Sequence, residues 1–302
     1  MDVVIAIDIG GTGIKCALVG RDHTIRHTER HPTGAEHGPD AVVAGILDLA
    51  RRLASTAQAM GARPVAVGVV APGVIDEAKG IAAWSANVGF RDVPLRDLVE
   101  ADLRVPAVLG HDVRAGATAE ARLGAGRGVA RTWFVPLGTG IAGAYAVDGR
   151  VDPGAHGASG EIGHVVVRPD GPPCGCGARG CLETLASASA VARSYTARTG
   201  IAVTARDVAE RAAAGEPDAS AVWAESVDAL ADGLRIGITL YDPDMIIIGG
   251  GLAEAGRVLL DPLTTAVRRR LTFQTMPQVR RAALGDEAGC LGAALLALDR
   301  TM

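Results

Sequence analysis

No apolar run in this chain of 302 residues reaches the 18 or so needed to cross a membrane. No charged-then-apolar secretory segment opens it at Met1. Cysteine is scarce, at five residues. That leaves no disulfide framework and, with no leader, points to the reducing cytoplasm, where clustered cysteines more often bind metal. An excess of positive charge is also lacking. The net charge is −4, so nothing draws the whole chain to nucleic acid, and the groups Arg268–Arg270 and Arg280–Arg281 read as a solvated helix face and a strand end. No G-x-x-x-x-G-K-S/T segment occurs, which excludes a P-loop. What is present is apolar residues at 48%, enough for sizeable cores, in a length that suits two domains of roughly 150 residues each. Forty glycines cluster at strand ends, where they serve close backbone approach to a ligand better than disorder.

Residues 157–183, GASGEIGHVVVRPDGPPCGCGARGCLE, gather Glu161, His164, Cys174, Cys176, Cys181 and Glu183 in one short segment. One imidazole and three thiolates make the donor set of a closed structural zinc site. A disulfide with one thiol left over is the other reading, but Cys174 and Cys176 are too close to pair comfortably. Glu161 and Glu183 are not needed by a metal. They would be two carboxylates held in fixed positions, which suits a polar ligand. Cys16 and Cys290 lie far off and read as small buried apolar residues.

One pattern is used twice. Val3–Ile9 reads as a strand, Gly10–Gly13 as a turn, and Ile14–Val19 and Thr24–Glu29 as two more strands. Thr132–Leu137, Gly138–Gly140, Ile141–Val147 and the chain from Arg150 repeat the plan. Helical patterns cover Asp40–Met60, Leu95–Leu103 and Val113–Leu123 in the first half, with strands at Pro64–Val70 and Pro106–Leu109. In the second half they cover Ser187–Arg198, Ala205–Ala214, Ser220–Leu240, Leu252–Leu271 and Asp286–Leu298, with a strand at Asp244–Ile248. A duplicated meander with alternating strands and helices predicts two α/β domains on either side of a cleft.

The glycine turns carry chemistry of their own. Gly138-Thr139-Gly140-Ile141-Ala142-Gly143 matches G-x-G-x-x-G, but a hairpin follows it rather than the helix that a dinucleotide fold needs, so NAD is rejected. In Asp8-Ile9-Gly10-Gly11-Thr12-Gly13-Ile14-Lys15, glycine N–H groups can approach phosphate oxygens, Thr12 offers a hydroxyl, Lys15 a charge, and Asp8 a carboxylate for magnesium. The plainer reading is a hairpin turn. Gly249-Gly250-Gly251 follows an apolar strand and opens a helix, which suits a nucleotide, or simply a tight strand-to-helix connection.

Together these segments resemble the ROK family of bacterial sugar kinases and sugar-responsive repressors. Further matches are Pro72–Asp76, Asn87–Phe90, Glu120–Gly126, Leu137–Gly140 and Ile248–Gly251, and the likeness covers nearly the whole chain. The resemblance implies a duplicated actin-like, hexokinase-like ATPase fold, with one domain of residues 1–113 plus 287–302 and another of residues 114–286 carrying the zinc loop. It implies that Asp112 takes the proton from a hexose 6-hydroxyl, and that Asn87, Glu161, His164 and Glu183 bind the sugar. His164 would use its other ring nitrogen for zinc, alongside Cys174, Cys176 and Cys181. Gly10–Thr12 and Gly138–Gly140 match the phosphate turns and Gly249–Gly251 the adenosine side. The chain departs from the family at His111, where an asparagine is usual, and this residue would touch the sugar and alter its choice. The implied cofactors are ATP, Mg2+ and structural zinc, in a cytoplasmic homodimer or homotetramer that binds hexose and ATP but neither nucleic acid nor membrane. Glucose is the first expected sugar. An N-acylhexosamine kinase, or a sugar sensor without a DNA-binding domain, are the alternatives.

Overall fold

The structure is a computed structural model describing residues 1–301. The chain divides into two compact units. One holds Met1–Ala119, Pro153–Ala158 and the chain from Asp286; the other holds Glu120–Asp152 and Ser159–Gly285.

In the first unit, β1 (Asp2–Ile9), β2 (Gly13–Gly20) and β3 (Ile25–Pro32) form an antiparallel meander. β1 is apolar on both faces because it runs through the middle of its sheet, with layers above and below. Helix α1 (Pro39–Ala59) opens with a proline at its first position, where the missing N–H costs nothing. Its buried stripe is Val42, Ile46, Leu49, Ala50, Leu53 and Ala57, at the spacing of one helix face. β4 (Arg63–Ala71) then pairs with β1 in parallel. A small antiparallel sheet of β5 (Val74–Asp76), β6 (Ile81–Trp84) and β7 (Arg91–Val93) follows, then α2 (Leu95–Leu103). β8 (Ala107–His111) completes the order β3-β2-β1-β4-β8, and α3 (Asp112–Arg122) starts at the very end of that strand.

The second unit repeats the plan. β9 (Arg131–Pro136), β10 (Ala144–Val147) and β11 (Arg150–Val151) make a meander. Helices α4 (Leu182–Ala186), α5 (Ala188–Thr199), α6 (Ala205–Ala213) and α7 (Pro217–Tyr241) follow, then β12 (Met245–Gly249), α8 (Arg257–Arg270) and β13 (Gln278–Arg281). The order β11-β10-β9-β12-β13 has the same layout as the first sheet, a meander followed by two parallel strands. The last helix, α9 (Ala288–Thr301), belongs to the first unit.

Three local differences from the sequence reading have physical causes. β10 begins at Ala144 rather than Ile141, because Gly138 donates to the Gly140 carbonyl at 3.0 Å and leaves only an isolated bridge between Leu137 and Ile141. The continuous helix expected over Leu252–Leu271 is broken. Gly256 takes φ 56° and ψ −125°, a conformation closed to other residues, so Gly251–Ala255 forms a separate 3-10 turn and α8 starts at Arg257. β5–β7, β13 and α4 are short elements of three to five residues, too short for a periodicity to show. Within α8, Pro262 has no N–H to give the Val258 carbonyl, and Trp223 Nε1 donates to that carbonyl instead, at 3.0 Å.

α9 lies close against the first sheet. A methyl group added at Gly68 of β4 would come within 2.0 Å of the Ala293 carbonyl oxygen of α9. Neither backbone can yield cheaply, so Gly68→Ala should lower unfolding stability by about 2 kcal/mol, as overpacked cores do. Thermal or denaturant unfolding measures this. An unchanged midpoint would mean that α9 does not sit that close to β4.

Candidate active site and metal loop

In the first unit, the turn between β1 and β2 is pinned from below. Gly10 donates to the Gly13 carbonyl at 2.8 Å, and Thr33 Oγ1 donates to the Gly10 carbonyl at 2.6 Å. Asn87 packs its side chain over Gly11, where an added methyl would lie 3.2 Å from Asn87 Cβ. Asp8, at the end of β1, faces α9, and its carboxylate occupies the space a side chain at position 289 would need. Burial, and then the charge of Asp112, push the Asp8 pKa up to about 6. Lys15, opposite Asp8 across the hairpin, points its Nζ to within 3.2 Å of Asp286 Oδ1, while Arg30 bonds the other oxygen at 2.7 Å. Arg30 and Lys15 hold Asp286 below the usual carboxylate range.

Asp112 heads α3. Its Oδ1 accepts the Val113 N–H at 2.7 Å, so the helix N-terminus fixes the side chain. Burial raises its pKa to about 6, although 29% of the side chain stays open to a partner. His111 beside it is buried and, through that burial and the nearby Arg114, titrates near 4, so it is neutral at ordinary pH. Its Nδ1 lies 3.3 Å from Asp112 Oδ1 without making a hydrogen bond. A neutral imidazole does not offset the Asp112 charge. Arg114 offsets it only in part, since its guanidinium also bonds Glu77 Oε1 at 2.7 and 2.9 Å and the Gly157 carbonyl at 2.9 Å.

In the second unit, residues 165–182 form a hairpin with little regular structure. It is stitched by Leu182 N–H to the Val165 carbonyl, Gly180 N–H to that of Pro172 and Cys174 N–H to that of Ala178. Its closure brings one donor atom each from His164, Cys174, Cys176 and Cys181 within 4.8 Å of one another. His164 Nδ1 lies 3.6 Å from Cys174 Sγ, and the Cys176 and Cys181 sulfurs are 3.7 Å apart. A tetrahedral ion with metal–sulfur bonds of about 2.3 Å sets its sulfurs about 3.8 Å apart and sulfur from nitrogen about 3.5 Å. The donor set therefore fits such an ion. The thiols alone fit it poorly: the Ala178 N–H brings Cys176 down to about 7, while burial and Cys176 push Cys181 up to about 12. A dication removes that conflict by ionising all three.

His164 Nε2, on the other side of the ring, lies 3.9 Å from Glu161 Oε2. Glu183, in the first turn of α4, accepts the Ile141 N–H at 3.0 Å and fills the space above Gly140. The second glycine turn and the acid expected at the sugar thus lie in contact. Beyond Gly249–Gly251, a cavity of about 340 Å³ is walled by Gly251, Leu252, Ala255 and Val258 on one side and Ala205 and Ala209 of α6 on the other. The first unit thus gathers Asp8, Gly10–Thr12, Lys15, Asn87, His111 and Asp112 around one sheet end. The second gathers Glu183, the Gly138–Gly140 turn and the metal loop. Asp286, Glu77 and Arg114 escaped the sequence reading. None lies in a motif, and Asp286 meets Lys15 across 271 residues of chain.

The sequence profile of the ROK family matches residues 4–300. The chain belongs to the ROK family. This ROK protein is 33% identical to a glucokinase of Halalkalibacterium halodurans, over 95% of the chain and 92% of that protein. It is 34% identical to an N-acetylmannosamine kinase of Citrobacter koseri, over 97% and 98%. Among solved structures it is similar to a ROK family glucokinase from Streptomyces griseus in complex with glucose and AMPPNP, with a TM-score of 0.85, 31% identity and coverage of 98% and 99%. Its fold is the actin-like ATPase fold of the ROK hexokinases.

The raised Asp112 pKa makes a test that needs no substrate. A carboxylate that binds its proton more tightly folded than unfolded favours the folded state at low pH. Here that contribution is lost as pH rises from the ordinary value of 3.8 through about 6. Asp112→Asn should therefore raise stability well above pH 6 by up to about 3 kcal/mol and make little difference below pH 4. Urea unfolding across that range measures it. An equal effect at both ends would place the Asp112 carboxyl in ordinary solvent.

Proposed function

We propose that this ROK protein is an ATP-dependent hexose kinase, with glucose its first candidate acceptor and the sugar 6-hydroxyl its nucleophile. The observation that carries the reading is Asp112: a recessed carboxylate fixed at a helix N-terminus, with proton affinity near neutrality, in a chain akin along its whole length to glucokinases. A base that titrates close to working pH is well matched to accepting a hydroxyl proton.

In this reading Asn87, His111, Glu161, His164 and Glu183 hold the sugar hydroxyls. Asp112 accepts the 6-hydroxyl proton as that oxygen bonds to the γ-phosphorus, and the bond from that phosphorus to the bridging oxygen breaks to release ADP. The N–H groups of Gly10–Thr12 and Gly138–Gly140, with Thr12, Thr139 and Lys15, hold the phosphates. The cavity beside Gly249–Gly251 takes the adenosine. Asp8 would hold the Mg2+. Its raised proton affinity beside Asp112 is the mark of two acids that a dication would relieve, and bound there the ion supplies charge for the phosphates. His164, Cys174, Cys176 and Cys181 would hold a zinc with all four positions filled, which would brace the sugar loop. Lys15 must leave Asp286 to reach a phosphate, so the nucleotide competes with an exposed ion pair of small worth. The reading keeps the cytoplasmic homodimer or homotetramer that the family implies.

A second reading, an N-acylhexosamine kinase, is supported by the likeness to N-acetylmannosamine kinases at the same level of identity. A screen of hexoses and N-acylhexosamines with ATP, followed by ADP release, separates the two. No ADP from any sugar would leave the sensor and sink both. Asp112→Asn should keep sugar binding while lowering kcat by about 10²–10⁴; turnover at the wild-type rate removes Asp112 as the base. Cys176→Ser should lower both zinc content and sugar affinity. Wild-type sugar affinity in a zinc-free sample of that variant would remove the brace.

A further inference from the structure

The metal loop has two rails, and each is seated differently on the second unit. The exit rail ends at Leu182, which packs against Gly233 of α7, and Ser226 of α7 donates to the Leu185 carbonyl at 3.0 Å. The entry rail carries Arg168, four residues beyond His164. Its backbone N–H, with that of Val167, donates to the Gly180 carbonyl, and its own carbonyl accepts from Gly171, so Arg168 is part of the hairpin's frame. Its guanidinium reaches Asp232 Oδ2 at 2.6 Å and Asp228 Oδ2 at 2.7 Å. Arg270, from the end of α8, takes the other oxygens of the same two residues, Asp232 Oδ1 at 2.7 Å and Asp228 Oδ1. Two guanidinium groups and two carboxylates thus close a ring.

Asp228 and Asp232 are four residues apart on α7, where two like charges repel. Two cations neutralise them, but the two differ in what they join. Arg270 ties α8 to α7, a contact of two helices. Arg168 ties the loop to α7. Exposed ion pairs taken singly contribute little stability, and these groups are 21–51% exposed. Forked guanidinium-to-carboxylate bonding instead supplies direction. Arg168 lies between the Gly160–His164 and Cys174–Glu183 stretches, and neither the proposed sugar contacts nor the metal ligands include it.

We propose that Arg168 is a positioning residue for the metal loop. The Arg168 fork onto Asp228 and Asp232 orients the entry rail so that His164 presents one nitrogen to the three cysteines and the other toward Glu161. The inference rests on the sugar-kinase reading for its kinetic arm alone, since metal retention is measured without substrate.

The test uses the full-length, zinc-loaded protein. Zinc release to a chromogenic chelator is followed first, then KM for sugar, KM for ATP and kcat. Arg168→Gln should release zinc about ten-fold faster, the lower end of what residues behind metal ligands do to affinity. Sugar KM should rise several-fold with kcat and ATP KM unchanged, the pattern of lost ground-state positioning. Arg270→Gln should lower thermal stability and leave zinc release and sugar KM at wild type, because it unties only the helices. At about 1 M salt, where the screening length falls to about 3 Å, wild-type release should approach that of the glutamine variant. Arg168→Lys, which keeps the charge but lacks the fork, should fall between, and it carries the test if Arg168→Gln does not fold. The proposal is overturned by wild-type zinc release in Arg168→Gln or Arg168→Lys, by Arg270→Gln matching Arg168→Gln, or by a wild type that takes up no zinc. A wild type without sugar turnover whose zinc release still depends on Arg168 removes the kinase reading and keeps the role of Arg168.

Discussion

Three cysteines and a histidine bring their donor atoms within 4.8 Å of one another. Residues 165–181 have no helix and only isolated bridges, so few ladder hydrogen bonds order them. Thiols in such a cluster resist ionising together, which the divided behaviour of Cys176 and Cys181 records. Convergence of these four side chains is the constraint on which the second unit's chemistry depends. It fixes His164, and through the short link from Cys181 to Glu183 it fixes the acid that caps the Gly138–Gly140 turn. A metal held there would offset part of the ordering entropy of the loop.

The first unit solves a different problem with the same economy. Asp8 and Asp112 sit in surroundings poor in water, near enough for Asp112 to raise the proton affinity of Asp8. The nearby cations Lys15 and Arg114 offset them only in part, because each also pairs with another acid: Arg114 with Glu77, and Lys15, like Arg30, with Asp286. His111 is kept neutral by burial. The fold thus leaves two carboxylates short of positive charge. That is an unfavourable arrangement for the protein by itself and a favourable one for binding a dication and accepting a proton.

Much of this could be read from residue order. The donor spacing of the metal loop, the glycine turns after β1 and β9, and the repeat of meander and crossover are local patterns, spanning a few to a few dozen residues. Helices with a strong apolar stripe, such as α1 and α2, fell within a residue or so of their expected bounds, since 3.6-residue periodicity is a property of the chain itself. The break at Gly256 went unread because a glycine inside a helical pattern signals either tolerance or rupture, and only the packing of the chain before it chooses. Strands of three or four residues, as in β5–β7, carry too few alternations to show.

Residue order by itself determined the inventory: the side chains whose types suit a metal, the glycine turns that follow the first strand of each repeat, and an Asp112 lying between a strand and a helix. Tertiary structure alone decided the charges and the fastenings. Asp286 meets Lys15 across 271 residues, Arg168 meets Asp232 across 64, and Arg114 meets Glu77 across 37. The proton affinities of Asp8, Asp112 and His111 follow from burial that no neighbour in sequence supplies. The reason is physical. Periodicity and motif spacing are encoded over short contour lengths, whereas desolvation and ion pairing depend on distance through space, which exists only once the chain has closed on itself.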